Sequence, residues 1–130
     1  MLKSIKSLLA TALITLPLLS HADTCPTPLE LRAGNYNNWK LLDLDNATPL
    51  SSAATQRFQH QVRSFALAEW MASAPEGSGH CYYEGITPDS TYLGAFLAKD
   101  NPKPTSKAWR QMNPDVMQCN ADIRLCTFDT

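Results

Sequence analysis

Bulky apolar side chains crowd most closely between Val62 and Glu84, where Val62, Phe65, Leu67, Trp70, Met71, Tyr82 and Tyr83 fall within one stretch. The turn-forming run Pro75-Glu76-Gly77-Ser78-Gly79 divides it. Two apolar runs around a Pro/Gly turn predict a β-hairpin, with strands over 62–71 and 79–84. The first run carries two periodicities. Phe58, Val62, Phe65 and Ala66 fit helical spacing across 55–71, whereas 62–71 alternates imperfectly as a strand. We take the strand reading, with a short helical turn over 52–58 before it.

Weaker alternation predicts further strands at 39–45, 91–98 and 123–128. Pro26 and Pro28 are expected to hold the backbone extended and to stop a helix from starting there. The residues Gly34-Asn35-Tyr36-Asn37-Asn38 carry turn chemistry, and 46–55 reads as loop. Pro102 and Pro104 make 99–105 a loop, and Pro114 makes 109–117 irregular. The sum is a mainly β fold, with α+β as its variant: a small antiparallel sheet domain with at most one helix.

The N-terminus follows another pattern. Lys3 and Lys6 precede the apolar run 8–19, and Ser20-His21-Ala22 supplies small residues for cleavage. This order predicts a signal peptide over 1–22 and a single domain over 23–130. At about 12 residues the run is shorter than the roughly 20 that a membrane span needs. No later run is long enough, so no membrane anchor is expected after cleavage. The expected location is the periplasm or the extracellular medium.

Charge and cysteines narrow the class further. Lys3 and Lys6 leave with the signal, so nine basic residues face twelve acidic ones, a net charge of −3. Non-specific nucleic-acid binding needs a basic face, and is not expected. Cys25, Cys81, Cys119 and Cys126 all remain, and an even count in a small exported chain predicts two disulfides. Of three possible pairings the expected one is Cys25–Cys81 with Cys119–Cys126. The short paired spacings of a zinc site are absent, and no metal or other cofactor is expected.

Candidate chemistry is sparse. His80 adjoins Cys81, but neighbours in a strand point to opposite faces, so the imidazole is not expected to serve the thiol. His60 and His80 stand in no ligand spacing. The motif Asn46-Ala47-Thr48 matches a glycosylation acceptor, read here as chance because the brief signal looks bacterial. Among Glu69, Glu76 and Glu84, the pair Glu69/Glu84 flanks the hairpin turn and would be the acid pair of a small hydrolase. Gly77-Ser78-Gly79 is too short for a phosphate loop. Lys99, Lys103, Lys107 and Arg110, with Trp109 among them, form a possible binding surface for an anionic partner.

The order Cys25-Pro26-x-Pro28, Phe65-x-x-Ala68-x-Trp70, Gly79-x-Cys81-x-Tyr83, Trp109, then Cys119 and Cys126-x-Phe128 resembles small exported, cysteine-containing proteins of gamma-proteobacteria, families of unassigned function. The resemblance implies strands and disulfides and supplies no activity. The expected role is therefore binding of a protein or envelope component rather than catalysis. Inhibition of an envelope or host enzyme is the narrower alternative, and a small hydrolase using Glu69/Glu84 or a free Cys81 thiol the competing one.

Overall fold

In the computed structural model residues 22–72, 77–100 and 102–129 are described. The expected signal peptide (apart from Ala22) and the hairpin tip with Pro75 and Glu76 lie outside these residues. In chain order the elements are β1 (Ala22–Asp23), α1 (Pro28–Arg32), β2 (Lys40–Asp43), α2 (Ser52–Gln61), β3 (Ser64–Met71), β4 (Ser78–Glu84), β5 (Ala95–Asp100), β6 (Lys103–Pro104), β7 (Arg110–Asn113), β8 (Val116–Cys119) and β9 (Phe128–Asp129). Short 3₁₀ turns cover Tyr92–Gly94 and Ile123–Leu125. The strands form two antiparallel sheets, a six-stranded one ordered β2-β5-β4-β3-β8-β7 and a three-stranded one ordered β1-β9-β6. The fold is mainly β, as the apolar pattern predicts. No described helix is long and apolar enough to cross a membrane.

The predicted hairpin lies at the middle of the larger sheet, with Ala68 opposite Cys81 and Glu69 opposite His80. Alternation along β4 then divides the chemistry. Gly79, Cys81 and Tyr83 are buried on one face, while His80, Tyr82 and Glu84 occupy the other and are half-buried. The buried face meets α1, α2 and the small sheet in one core that includes Leu31, Trp39, Phe58, Val62, Leu97, Trp109 and Phe128. Phe58 of α2 meets Tyr83 edge-on at 6.2 Å, and the Tyr83 hydroxyl donates to the Pro26 carbonyl at 2.6 Å. A methyl on Gly79 would stand 2.8 Å from Pro102 and 3.0 Å from Phe128, so glycine is required where the two sheets touch.

Both disulfides form as expected, Cys25–Cys81 and Cys119–Cys126, and all four cysteines are buried. The first ties the N-terminal segment to the central strand across 56 residues. Chain-entropy reasoning gives a bridge of that span roughly 4 kcal/mol.

Several local expectations are corrected, each by turn or cap chemistry. Pro28 begins α1 instead of blocking it. Thr27 Oγ1 accepts from the Glu30 amide at 3.1 Å while Glu30 Oε1 accepts from the Thr27 amide at 2.9 Å, and a proline at the first helical position has no amide hydrogen to leave unpaired. The expected limit of one helix is thereby exceeded: this five-residue helix is additional to the helical turn expected over 52–58, which runs to Gln61. The strand expected over 91–98 starts only at Ala95, because Tyr92, Leu93 and Gly94 all take positive φ. Pro114 makes a tight turn between β7 and β8 rather than an irregular stretch, helped by Asn113 Oδ1 accepting from the Asp115 amide at 2.8 Å. Lys103–Pro104 pairs with β9 inside the expected loop, and the strand expected over 123–128 begins only at Phe128, after a 3₁₀ turn over 123–125 capped by Asp122, whose side chain accepts from the Arg124 amide.

Candidate functional site

Two places gather polar side chains, and they differ in kind. The first is a cluster on the half-buried face of the larger sheet. Ser78 Oγ lies 3.0 Å from His80 Nε2, two residues along the same strand and therefore on the same face. Cross-strand pairing puts Glu69 opposite His80, with Glu69 Oε1 at 3.6 Å from His80 Nδ1. Tyr82 donates its hydroxyl to Glu69 Oε1 at 3.1 Å, and Gln118 of β8 donates its amide to Oε2 at 3.0 Å. Rings surround the group: His80 meets Phe96 edge-on at 5.1 Å, and Tyr82 stacks on Phe96 at 5.8 Å and tilts against Tyr92 at 5.1 Å.

The electrostatics follow from these contacts. Interaction with the His80 imidazole holds the Glu69 carboxyl below its ordinary range; burial opposes this, and Gln118 and Tyr82 reinforce it. Burial, then the Glu69 charge, pushes the Tyr82 phenol above its usual range. The order hydroxyl, imidazole, carboxylate is that of an activated serine. Two features argue against that use. The Nδ1–Oε1 separation exceeds hydrogen-bond length, which leaves buried Nδ1 without a partner, and Ser78 is 8% exposed. Ser78, His80, Glu69 and Tyr82 do not line the groove described next.

The second place is an open groove of about 280 Å³ at one end of the sheet, lined by His60, Gln61, Arg63, Gly85, Ile86, Thr87 and Leu93. It forms where α2 ends, β3 begins and β4 runs out. The Arg63 amide donates to the Glu84 carbonyl at 2.9 Å, which fixes where the side chain emerges. Arg63 Nη1 then donates to the carbonyls of His60 and Val62 at 2.7 and 2.9 Å, capping the helix C-terminus. Among the described residues, Arg63 Nε and Nη2 have no hydrogen-bond partner and no carboxylate lies within ion-pair distance. Ile86 beside it is 82% exposed.

The residues singled out from the sequence distribute differently. Lys99 ion-pairs with Asp23 at 2.6 Å and lies over the Trp39 ring at 5.3 Å. Trp109 is core: its Nε1 donates to the Thr127 carbonyl at 2.9 Å and its ring meets Phe128 at 5.0 Å. Lys103, Lys107 and Arg110 are exposed, one on the small sheet, one in the following turn and one on the edge strand of the larger sheet. Arg110 also lines a dent of about 50 Å³ with Met112, Gln118 and Asn120. The five residues thus form no shared surface around an exposed tryptophan. Glu69 and Glu84 pair opposite His80 and Ser64, four strand positions apart, or about 13 Å, too far for the acid pair of a glycosidase. Cys81 is disulfide-bonded, so no thiol is available there. His60 lines the groove and His80 the cluster. Among the described residues no group of His, Cys, Asp or Glu could hold a metal ion.

Arg63 and Ile86 were not singled out from the sequence. A cation directly after a helix C-terminus is a common cap, and only the Glu84 pairing shows that it also faces a groove. No family model, no curated protein and no solved structure matches this chain. Function must be argued from the geometry.

Proposed function

We propose that this is an exported, non-catalytic binding protein of the bacterial envelope or secretome, and that the groove at Arg63 and Ile86 receives its partner, a protein or an envelope component. The observation that carries the reading is the unengaged edge of the Arg63 guanidinium beside a nearly fully exposed isoleucine. Planar donors pre-set for an acceptor, next to an apolar anchor, are the ingredients of a binding hot spot. Paired disulfides fit an oxidising compartment, and a rigid sheet end suits binding without an ordering cost.

Photo-crosslinking tests this in the exporting cell. Benzoylphenylalanine replaces Ile86 in one strain and Leu125, which is 54% exposed, in another. The expected result is a discrete adduct from position 86 that Arg63→Ala abolishes, and none from 125. The same adducts from both positions, or an adduct from 86 indifferent to Arg63, would overturn the reading.

A further inference from the structure

The groove carries information about what it holds, and this inference rests on the binding reading above. We infer that its ligand presents a terminal carboxylate on a short apolar chain. The shared chemistry has two sources, a free fatty acid or the C-terminus of a protein with apolar final residues.

Four observations converge on it. First, with Nη1 occupied by two carbonyls, Arg63 retains its Nε–Nη2 edge, which presents two parallel N–H groups at the spacing of one carboxylate. Second, the charge arithmetic favours a monoanion. Among the described residues Arg63 is the one Lys or Arg lining the groove, and it stands at the C-terminal end of α2, where the helix dipole is negative. A dianionic phosphate would keep more uncompensated charge there than a carboxylate would. Third, Ile86 and Leu93 supply apolar wall, which a small hydrophilic anion would leave unused. Fourth, the local backbone fixes the shape of that wall. A methyl on Gly85 would stand 3.2 Å from both the Gln61 carbonyl and Leu93 Cδ2, so glycine lets the helix end, the strand end and the Leu93 turn pack closely together there. Tyr92 and Leu93 both take left-handed backbone angles, φ 48° and 61°, an unfavourable conformation for residues with a Cβ. That turn sets Leu93 in the groove while Tyr92 rests on Tyr82. Strain kept at the wall of a groove points to a shape held for use.

The size is consistent. At about 280 Å³ the groove lies at the small end of ligand sites, enough for a carboxylate and several carbons with the remainder in solvent. Affinity in the range of about 10 μM to 1 mM is expected for so open a site.

The test is a calorimetric and ¹H–¹⁵N chemical-shift titration of the exported, oxidised protein with decanoate, decanol, decyl phosphate, and a peptide ending in Val-Leu as free acid or amide. Decanoate or the acid peptide should bind, with shifts concentrated at 60–63 and 85–93. Decanol and the amide should bind at least about tenfold more weakly, the loss expected for a charge-assisted fork. Arg63→Ala should cost decanoate about tenfold. Arg63→Lys should recover only part, because a point charge lacks the fork. Ile86→Ser, at a position exposed enough to leave the fold alone, should cost about threefold. Tighter binding of the acid peptide than of decanoate assigns the source to protein C-termini, and the reverse assigns it to fatty acids. Equal binding of decanol and decanoate, tighter binding of decyl phosphate, or shifts centred elsewhere would overturn the inference. An Arg63-dependent crosslink from position 86 alongside failure of every carboxylate would remove only the ligand class; loss of both would remove the groove.

Discussion

The Glu69 cluster and the Arg63 groove each hold charged and polar side chains beside apolar ones, yet they are opposites. At the cluster the carboxylate accepts from Tyr82 and Gln118 and faces His80, and aromatic rings close around the group. At the groove one edge of a guanidinium is anchored on backbone carbonyls and the other meets no protein group among the described residues. Polar capacity that the fold has consumed stabilises the fold. Polar capacity held rigid but unconsumed is what a partner can use. The sequence singles out Glu69 and His80 for other chemistry and passes over Arg63 and Ile86; only the sheet register brings Ser78, His80 and Glu69 together.

The largest way to break the contrast acts on what both places share. Both depend on β4, which carries His80 and ends at Glu84 just before Gly85, and the Cys25–Cys81 bridge holds that strand to the N-terminal segment. Replacing both cysteines by alanine should lower unfolding free energy by roughly 4 kcal/mol, measured by urea titration. A loss under about 1 kcal/mol would show that the bridge does not hold the framework.

Single substitutions separate the two places. Glu69→Ala should cost about 2 kcal/mol, because it strips the acceptor from Tyr82 and Gln118 in a half-buried setting. Arg63→Ala should cost less, about 1 kcal/mol or under, because it removes only the exposed cap on the His60 and Val62 carbonyls. Reversal of that order in denaturant midpoints would invert the comparison.

Acid sharpens it. A carboxylate whose folded pKa is lowered contributes stability that is present above its unfolded value, near 4.5, and is lost as pH falls through the folded value. The wild type should therefore lose stability progressively below about pH 4.5, and Glu69→Gln should lose less over that interval. Glu30, held low chiefly by the Thr27 amide at the α1 cap, adds a term of the same sign, and Glu69→Gln leaves that part in place. Identical acid limbs for wild type and Glu69→Gln would remove Glu69 from the account. The smallest effect is a null. A fluorophosphonate probe should leave Ser78 unlabelled at neutral pH, since its hydroxyl is buried and the imidazole lacks a bonded carboxylate. Stoichiometric labelling would restore the serine as a nucleophile.

The fold was legible where period and turn chemistry agree. Apolar runs around the Pro/Gly turn forecast β3 and β4, and even cysteine number with export forecast the bridges. Shorter elements were hidden because caps and turns decided them: Pro28 reads as a breaker unless Thr27 and Glu30 are seen to close a capping box around it, and Pro114 reads as irregular unless Asn113 is seen to hold the turn. Of the basic residues around Trp109, Lys99 is paired with Asp23 and Trp109 itself packs onto Phe128, contacts between segments far apart in the chain that residue type and order do not reveal. The groove was illegible for the same reason. Its residues come from three separated segments, 60–63, 85–87 and 93, which only the sheet register unites.

One paired measurement tests the central claim, that the groove binds and the cluster supports. Urea midpoint and decanoate affinity would be determined for Arg63→Ala and Glu69→Ala on the same oxidised protein. The account predicts a crossed result: Arg63→Ala lowers the midpoint only slightly, by the loss of its helix cap, and loses about tenfold in affinity, while Glu69→Ala lowers the midpoint more and binds decanoate as the wild type does. Weakened binding in Glu69→Ala with an unchanged affinity in Arg63→Ala would contradict it.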